Sequence, residues 1–418
     1  MKTSSILLGA LLPAAAIAQI EQNETFITGL FQTLQNSGVT SLSDVLTQIN
    51  SSEVGQGLLA NISSGSPYLL FAPNNDALSS APENITGDAG LLTDTIGYHI
   101  VPGNFSSSIP TYPNITIGRT LLTDPRFVRL EGGNKAQVAA WAEREDGRTH
   151  VLNQRNDSTV VDVTSFENVT VYIIDHLLII PENFSSTIPT NNEGLTAIET
   201  ILQTVQTPVF NTSTNETANV TLFQALDVDW HGFTFFAPSN GAVANASSSL
   251  ESLAGNETAI QAVLYNHIIN GTTLYSPLLA NQNFTSTAGA TLAFTINATG
   301  QYVTSANTTA RILQPDVLLP NGVVHVIDSV LLNTEEDPEA ASSAIASATS
   351  VATESPTETE PVGFSQTVSL DATATGGADS TDATGESSGA FVVPGRNALV
   401  GLSVSALAVL VGALVTLA

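Results

Sequence analysis

The sequence predicts an α+β fold with two tandem domains, each a β wedge or sandwich with flanking helices, followed by a disordered stalk rich in Ser and Thr. Three blocks of sequence recur in the same order in both halves of the chain. Each half combines helical periodicity with short apolar strands. The composition changes sharply after residue 333. The predicted domains therefore cover residues 25–183 and 188–333, and the stalk covers 334–390.

The recurring blocks indicate that a whole domain has been duplicated. Residues 68–75 (YLLFAPNN) return as 233–240 (FTFFAPSN), 97–103 (GYHIVPG) as 265–271 (YNHIING), and 171–178 (VYIIDHLL) as 324–331 (VHVIDSVL). The offsets are 165, 168 and 153 residues. These offsets are far longer than the unit of a solenoid, so each repeat is expected to fold as a separate domain.

Each repeat is expected to begin with a helix and to end with a buried strand. Leu42, Leu46 and Ile49 recur at helical spacing, with Ser41 or Ser43 as the N-cap. The first block predicts a strand that leads into a turn, because Pro cannot donate to a ladder and Asn closes turns. The last block is β-branched and almost wholly apolar, which predicts a strand buried on both faces.

Both ends of the sequence carry features of secreted surface proteins. Residues 1–18 have a basic start, an apolar run from Ile6 to Ala16 and a small-x-small triplet before Gln19, which predicts a signal peptide. Residues 391–418 include an apolar tail with no basic residue after it, which favours a GPI signal over a retained membrane span. Ser387 or Ser388 is the expected attachment residue. The expected location is the outer leaflet of the cell surface or the cell wall, with a vacuolar membrane as the alternative.

The density of N-glycosylation sequons agrees with secretion. Eighteen N-x-Ser/Thr triplets lie between residues 23 and 309, and this predicts a heavily glycosylated surface. The candidate acceptors are Asn23, Asn50, Asn61, Asn84, Asn104, Asn114, Asn156, Asn168, Asn183, Asn211, Asn215, Asn219, Asn245, Asn256, Asn270, Asn283, Asn297 and Asn307.

The composition excludes several classes of function. The chain has no cysteine, which excludes disulfides, thiol catalysis and thiolate metal sites. Acidic residues outnumber basic ones by 38 to 10, so no nucleic-acid partner is expected. The sequence has no His-x-x-x-His arrangement, EF-hand loop or phosphate-binding loop, and the Gly132-Gly133 pair has the turn chemistry of a hairpin. No cofactor or metal site is predicted.

The obvious candidates for acid–base chemistry are better explained by structural roles. His99 and His267 are equivalent and end apolar helical runs, where a histidine typically bonds a backbone group, and no nucleophile motif accompanies either. Asp175 and Asp328 follow the last strand of each repeat and are expected to accept from backbone N–H groups in the turn beyond. No catalytic residue is predicted. A glycan-active hydrolase with an unidentified carboxylate pair stays open as the alternative.

Basic residues are concentrated in the first repeat. Seven of the ten lie between residues 119 and 155. The favoured interpretation is a solvated pair of hairpins with Glu143, Glu145 and Asp146 as ion-pair partners. The alternative is a docking strip for an acidic glycan or for the acidic face of another copy, which would produce self-association. The candidate residues of this strip are Arg119, Arg126, Arg129, Arg144 and Arg148.

The recurring blocks resemble the fasciclin (FAS1) domain family. Residues 71–74 (FAPN) and 236–240 (FAPSN) are similar to its first motif, 321–328 (NGVVHVID) to its second, and Tyr98-His99 to the segment between them. The resemblance covers about residues 25–333. It implies a non-enzymatic adhesion or matrix- and wall-organising protein that binds proteins or glycans and is often GPI-anchored. A membrane-spanning spacer protein of the vacuole or cell surface is a further alternative.

The resemblance also nominates residues for ligand binding. In some animal members, a Pro-Asp-Ile-type segment before the second motif and the Tyr-His segment have been linked to receptor binding. By their place in the motifs, the candidates are Pro315, Asp316 and Val317, with Val in place of Ile, together with Tyr98, His99 and His267.

Overall fold

The structure is a computed structural model that describes residues 14–105, 109–154, 156–191, 193–211, 215–253, 255–280, 282–297, 299–352 and 362. Residues 1–13 of the predicted signal peptide, Ser387 and Ser388, and the predicted apolar tail lie outside these ranges. Among the described residues, the two repeats form seven-stranded sheets with the same strand order, which confirms the α+β fold with two tandem domains.

The first repeat packs helices against a sheet in which two central strands are parallel. The sheet order is β2-β1-β7-β6-β5-β4-β3; β1 pairs with β7 in parallel, and the other pairs are antiparallel. The helices are α1 (Ala14–Asn36), α2 (Thr40–Ile49), α3 (Glu53–Ile62), α4 (Asn75–Ser79), α5 (Glu83–Thr86) and α6 (Ala89–Tyr98). The strands are β1 (Tyr68–Pro73), β2 (Ile100–Pro102), β3 (Thr116–Arg119), β4 (Val138–Glu143), β5 (Thr149–Val151), β6 (Ser158–Phe166) and β7 (Val169–Ile174).

The second repeat has the equivalent sheet and an additional hairpin, β8–β9. Its sheet order is β11-β10-β16-β15-β14-β13-β12, with β10 and β16 parallel. The helices are α7 (Phe184–Thr187), α8 (Thr196–Leu202), α9 (Leu222–Gln224), α10 (Asn240–Asn245), α11 (Ser247–Leu253) and α12 (Glu257–Tyr265), with 3-10 turns at Ile188–Thr190 and Ser276–Leu278 and a π turn at Ala225–Asp229. The strands are β8 (Gln206–Asn211), β9 (Glu216–Thr221), β10 (Phe233–Pro238), β11 (Ile268–Asn270), β12 (Asn283–Thr285), β13 (Thr291–Asn297), β14 (Gly300–Ser305), β15 (Thr308–Leu318) and β16 (Val323–Ile327).

Helix α2 forms as predicted, but a distant side chain caps it. Leu42, Leu46 and Ile49 are buried in the core of the first repeat, as their spacing predicts. The prediction that Ser41 or Ser43 caps this helix is wrong, because the residue before it makes no side-chain cap. Instead, Asn75 Oδ1 accepts from the Ser41 N–H at 2.9 Å. Tertiary structure therefore satisfies a helix terminus that local sequence leaves open.

The Ala-Pro-Asn block ends a strand as predicted, but it begins a helix rather than a turn. Asn74 Oδ1 accepts from the Ala77 N–H at 2.8 Å and so caps α4. Ser239 does the same for α10, with its Oγ 3.2 Å from the Ala242 nitrogen. In both repeats, the first motif therefore connects a buried strand to a capped helix.

The last block of each repeat is the buried central strand that its composition predicts. All residues of β16 are buried, and β7 is buried except at one half-buried position. Asp175 and Asp328 follow these strands, but each accepts from the neighbouring strand rather than from the turn beyond. Asp175 Oδ1 lies 2.7 Å from the Thr159 nitrogen, and Asp328 Oδ1 lies 2.8 Å from the Arg311 nitrogen. Both carboxylates therefore have a structural role, as predicted, with different partners.

The segment after the second repeat is partly helical. Residues 338–352 fall in the predicted disordered stalk, yet α13 (Pro338–Ala352) forms there and contacts β12. Pro338 stands at the first turn, where it costs the helix no hydrogen bond, and Asp337 Oδ1 accepts from the Ala340 N–H at 3.0 Å. At the start of the second repeat, Phe184 belongs to that repeat's core, so the domain begins earlier than residue 188.

The Gly132-Gly133 pair forms a turn within the long connection of the antiparallel β3–β4 hairpin, not a tight two-residue hairpin loop. Both glycines have positive φ, 78° and 70°, in the long connection between β3 and β4. Beside the turn, Glu131 forms an ion pair with Lys135 at 2.7 Å. This long connection therefore places polar groups near the second repeat.

Candidate functional site

The six residues nominated for ligand binding are all buried. The exposed fractions are 1% for Tyr98, 0% for His99, 1% for His267, 0% for Asp316 and 5% for Val317, and Pro315 is also buried. Tyr98, His99, His267 and Asp316 therefore have almost no surface for a partner, whereas Pro315 borders a cleft between the repeats. The structure instead gives these residues roles inside the fold.

His99 and His267 join a helix to the segment that follows the last strand in each repeat. Nδ1 of His99 donates to the Thr95 carbonyl at 2.7 Å, and its Nε2 accepts from the Leu178 N–H at 3.0 Å. His267 makes the same two bonds, to the carbonyl four residues earlier and from the Leu331 N–H at 2.9 Å. Burial lowers the pKa of both rings to about 4. Both histidines are therefore neutral structural groups, in agreement with the sequence-based interpretation.

The Pro315-Asp316-Val317 segment turns inward instead of forming an exposed edge. Val317 lies in the core of the second repeat. Asp316 Oδ1 accepts from the Ser276 N–H at 2.7 Å, and the Asp316 N–H donates to Nδ1 of His325 at 3.2 Å. Burial raises the pKa of the Asp316 carboxyl and lowers the pKa of His325. This segment therefore links two strands and a loop within the repeat.

Nearby carboxylates neutralise two arginines of the predicted basic strip, the exposed Arg126 and the half-buried Arg144. Arg126 contacts Asp94 at 2.7 Å and Asp124 at 2.9 Å. Arg144 forms an ion pair with Asp157. These three carboxylates are not the predicted partners Glu143, Glu145 and Asp146. The charge of these two residues is therefore balanced locally, which weakens the case for a continuous positive docking surface.

The other three arginines of the strip form hydrogen bonds through the Arg119 guanidinium and through the backbone N–H groups of Arg129 and Arg148. Arg119 donates to a backbone carbonyl at 2.9 Å, and the Arg148 N–H donates to Asp146 Oδ1 at 3.0 Å. The Arg129 N–H donates across the repeats to the Pro320 carbonyl at 2.6 Å. Asp146, which was predicted as an ion-pair partner, accepts from the backbone N–H of Arg148 and contacts the His150 ring. Arg129 is the strip residue that leads to the interface between the repeats.

An apolar cluster joins the two repeats. Ile117, Val138 and Ala140 of the first repeat pack with Leu318 and Val323 of the second, and all five are at most 5% exposed. These residues lie on β3, β4, β15 and β16 or at their ends, so the two sheets meet through their own strands. The repeats therefore share part of their core.

Buried polar contacts fix the position of the repeats. Gln137 is fully buried, and its Nε2 donates to the Leu319 carbonyl at 3.0 Å. Thr273 Oγ1 of the second repeat donates to Glu131 Oε2 of the first repeat at 2.6 Å. Each bond joins groups far apart in sequence, and losing either would leave a buried group unpaired. The interface therefore has one specific geometry.

A polar cleft lies beside this interface, with a volume of about 410 Å³. Tyr112, Arg144 and Asn153 line it from the first repeat, and Gln314 and Pro315 from the second. Sequence reasoning missed its amide residues because Asn153 and Gln314 lie 161 positions apart and belong to no motif.

The sequon asparagines lie at the surface wherever the structure describes their side chains. All are exposed or half-buried, and none of those described is buried; the Asn211 side chain lies outside the described set. Asn168 differs from the others because its Nδ2, the atom that would carry a glycan, donates to the Ser66 and Ile62 carbonyls. Glycosylation at Asn168 would therefore disrupt these contacts.

The described residues offer neither a metal site nor a membrane-spanning helix. In that part of the chain, no group of three or more His, Cys, Asp or Glu side chains is arranged to hold a metal ion. No helix there is long and apolar enough to cross a membrane.

Comparison with known proteins identifies the repeats. The family model of the fasciclin domain matches residues 40–181 and 208–333. The chain belongs to the fasciclin domain family. A relative from Arthroderma benhamiae, the fasciclin-like arabinogalactan protein, is 26% identical over 249 residues, which are 59% of this chain and 52% of that protein. Each matched segment contains the sequence blocks that resemble the fasciclin motifs.

Two further matches are more distant. The transforming growth factor-beta-induced protein ig-h3 of Sus scrofa is 23% identical over 271 residues, 63% of this chain and 34% of that protein. This fasciclin-family chain thus spans about half of the first relative and a third of the second. The solved FAS1 domain pair of the insect cell adhesion molecule Fasciclin I is 17% identical and matches 71% of this chain and 98% of its own, with a TM-score of 0.33.

Proposed function

We propose that this protein is a non-enzymatic adhesion or wall- and matrix-organising module that binds proteins or glycans outside the cell. The observation that carries the proposal is the pair of fasciclin domains joined through a shared apolar cluster. Fasciclin-domain proteins act in cell adhesion or in the organisation of walls and matrices. A fixed pair presents a single continuous surface to its partner, and a preformed surface loses less entropy on binding than two independent domains would.

The chemistry of the described residues supports binding rather than catalysis. The equivalent histidines His99 and His267 are buried and hydrogen-bonded to the backbone, so neither is available as a general base. Asp175 and Asp328 also bond to backbone groups. These residues, which were the most suggestive of acid–base chemistry, support the fold.

Adhesion is tested with the full chain on the surface of host cells that lack it. Expressing cells are expected to aggregate or to adhere to wall and matrix polymers more than matched non-expressing cells do. Ala140→Glu would place a charge in the interface between the repeats and is expected to reduce adhesion. Val163→Glu, at a position that is 55% exposed, is the matched control.

Equal adhesion of expressing and non-expressing cells would contradict the proposal. The same preparations are incubated with the polymers to detect turnover. Hydrolysis that a single carboxylate substitution abolishes would favour the glycan-hydrolase alternative. Surface levels and thermal unfolding of both variants are compared, so that loss of adhesion is not confused with loss of the folded protein.

We further propose that a GPI anchor holds the protein on the outer leaflet or transfers it to the cell wall, with Ser387 or Ser388 as the attachment residue. The charge-free tail at 398–418 and the small residues before it support this proposal. A phosphatidylinositol-specific phospholipase is expected to release the protein from intact cells. Retention after the enzyme has released a known GPI-anchored control would favour a membrane span, including the vacuolar alternative.

A further inference from the structure

Three amide side chains from separate segments meet at or beside the cleft between the repeats. Asn191, from the connection into the second repeat, donates through Nδ2 to Oε1 of Gln314 at 3.0 Å. Gln314 Nε2 in turn lies 3.4 Å from Asn153 Oδ1 of the first repeat. The three amides thus form a chain that crosses from one repeat to the other and exists only when both are in place.

One end of this amide chain is left open. Asn153 Nδ2 is buried and has no hydrogen-bond partner among the described residues. A buried donor without a partner is unfavourable, because folding has removed its water without replacing the bond. Asn153 also holds the left-handed conformation, with φ 62°, which asparagine tolerates better than most residues. Asn153 lines the cleft, so a small rotation of its side chain would bring this unpaired donor to a ligand oxygen there.

The charges around the cleft favour an uncharged ligand. Both Nε and Nη2 of Arg144 bond to Asp157 Oδ2, and the guanidinium lies over the Tyr112 ring, 4.2 Å from its centroid. The cation of Arg144 is therefore already paired and stacked. Glu193 adds a carboxylate to the lining. Among the lining residues that the structure describes, no side chain other than Arg144 is cationic, and Glu193 would repel an anionic ligand.

We propose that this cleft binds a neutral saccharide. Amide groups donate and accept, and so do sugar hydroxyls, which makes an open amide chain a suitable partner for a ring that carries several hydroxyls. The volume of about 410 Å³ lies within the range of small-ligand sites, about 300–1,000 Å³. The assignment deepens the proposed function, on which it rests, by naming the ligand class and the site.

The saccharide has two possible sources. One is a neutral glycan of the wall or matrix. The other is the chain's own N-glycan, because the sequon residue Asn156 is exposed and lines the cleft. Both sources offer the same hydroxyl chemistry, so they are separated by removing the chain's own acceptor. Asn156→Gln removes the sequon and keeps an amide at the position.

The test measures binding of the purified full chain, in detergent, to an array of neutral and sulfated oligosaccharides. Asn153→Asp keeps Oδ1 and the backbone preference but removes the Nδ2 donor. The variant is expected to lower affinity for the neutral saccharide at least tenfold. Asn134→Asp introduces the same change at an exposed turn outside the cleft and is expected to bind like the wild type.

The array distinguishes the two sources. Binding by the wild type that Asn156→Gln leaves unchanged identifies an external glycan. Binding that appears only in Asn156→Gln identifies the chain's own glycan as the normal occupant. The proposal is overturned if neither protein binds a neutral saccharide, if Asn153→Asp binds as tightly as Asn134→Asp, or if sulfated saccharides are preferred.

Cell adhesion in the same variants separates this inference from the proposed function. If expressing cells adhere and Asn153→Asp leaves saccharide binding unchanged, the cleft assignment fails and the adhesion function stands. If the cells do not adhere but the array shows binding that depends on Asn153, the cleft assignment stands and the adhesion function fails.

Discussion

Acid pH is expected to destabilise both repeats through His99 and His267. Each ring is buried, donates through Nδ1 and accepts at Nε2 from a backbone N–H. A proton on Nε2 would face the N–H of Leu178 or Leu331 and remove the bond. Because burial disfavours the charged ring, the pKa of each histidine falls from 6.5 to about 4 in the folded state.

The sign and size of the effect follow from linkage. The folded pKa lies below the unfolded one, so the unfolded chain binds more protons between pH 6.5 and pH 4. The stability that each histidine contributes is present above pH 6.5 and is lost as the pH falls toward 4. Between pH 7 and pH 5, each ring therefore lowers the free energy of unfolding by about 2 kcal/mol, and the two rings together lower it by about 4 kcal/mol. Such a loss is a large part of the stability of an ordinary domain.

The assay is urea unfolding of wild type, His99→Gln, His267→Gln and the double variant at pH 7, 6 and 5. Each substitution lowers stability at every pH because it removes backbone bonds, so the informative quantity is the change with pH. His176→Gln is the matched control, because that side chain is 53% exposed. The buried pair Asp316 and His325 is present in every variant, so its contribution largely cancels in the comparison.

The expected result is that each single substitution removes about half of the histidine-dependent loss and the double variant removes nearly all of it. If the double variant loses as much stability as the wild type between pH 7 and pH 5, the buried histidines are not the source of the acid sensitivity. NMR titration of the ring carbons gives an independent check, because both rings should stay neutral down to about pH 4.

Five further substitutions test the packing, the helix caps and the interface, and all are measured by thermal or urea unfolding. Gly322→Ala would place a Cβ 2.7 Å from a backbone oxygen of β10 and should lower the free energy of unfolding by about 1–3 kcal/mol. Gly57→Ala, on the open face of α3, should raise the free energy of unfolding by about 0.5–1 kcal/mol. Equal effects of the two substitutions would contradict this packing. Asn75→Ala and Asn240→Ala remove equivalent helix caps and should each cost about 1 kcal/mol, and a loss in only one repeat would contradict their equivalence. Gln137→Ala leaves a carbonyl of the second repeat unpaired and should cost about 1–3 kcal/mol. It should also separate the unfolding transitions of the two repeats in calorimetry, and a single unshifted transition would show that this bond does not couple them.

The sequence predicted those parts of the fold that depend on local pattern. Leu42, Leu46 and Ile49 are buried on one face of α2, as helical spacing requires. The almost wholly apolar block that forms β16 is buried on both faces, and its counterpart β7 nearly so. Periodicity carries this information because a side chain's direction is set by its place in the helix or strand.

Predictions failed where the partner of a polar group had to be chosen. Ser41 and Ser43 were plausible caps, but Asn75 reaches the helix from 34 residues away. Asp175 and Asp328 were expected to bond forward into a turn and instead bond sideways to a neighbouring strand. Local sequence shows that a group needs a partner, yet several partners satisfy the same chemistry.

The sequence by itself determined the duplication, the α+β class and the positions of the sequons, because each of these depends only on the order, spacing and type of residues along the chain. Only the tertiary structure decided that Asp316 is buried and that the repeats share a cluster around Ala140. It also brought Asn153 and Gln314 together to form the cleft. The physical reason is that burial and pairing depend on which surfaces meet, and no local pattern specifies which surface of one domain will cover another.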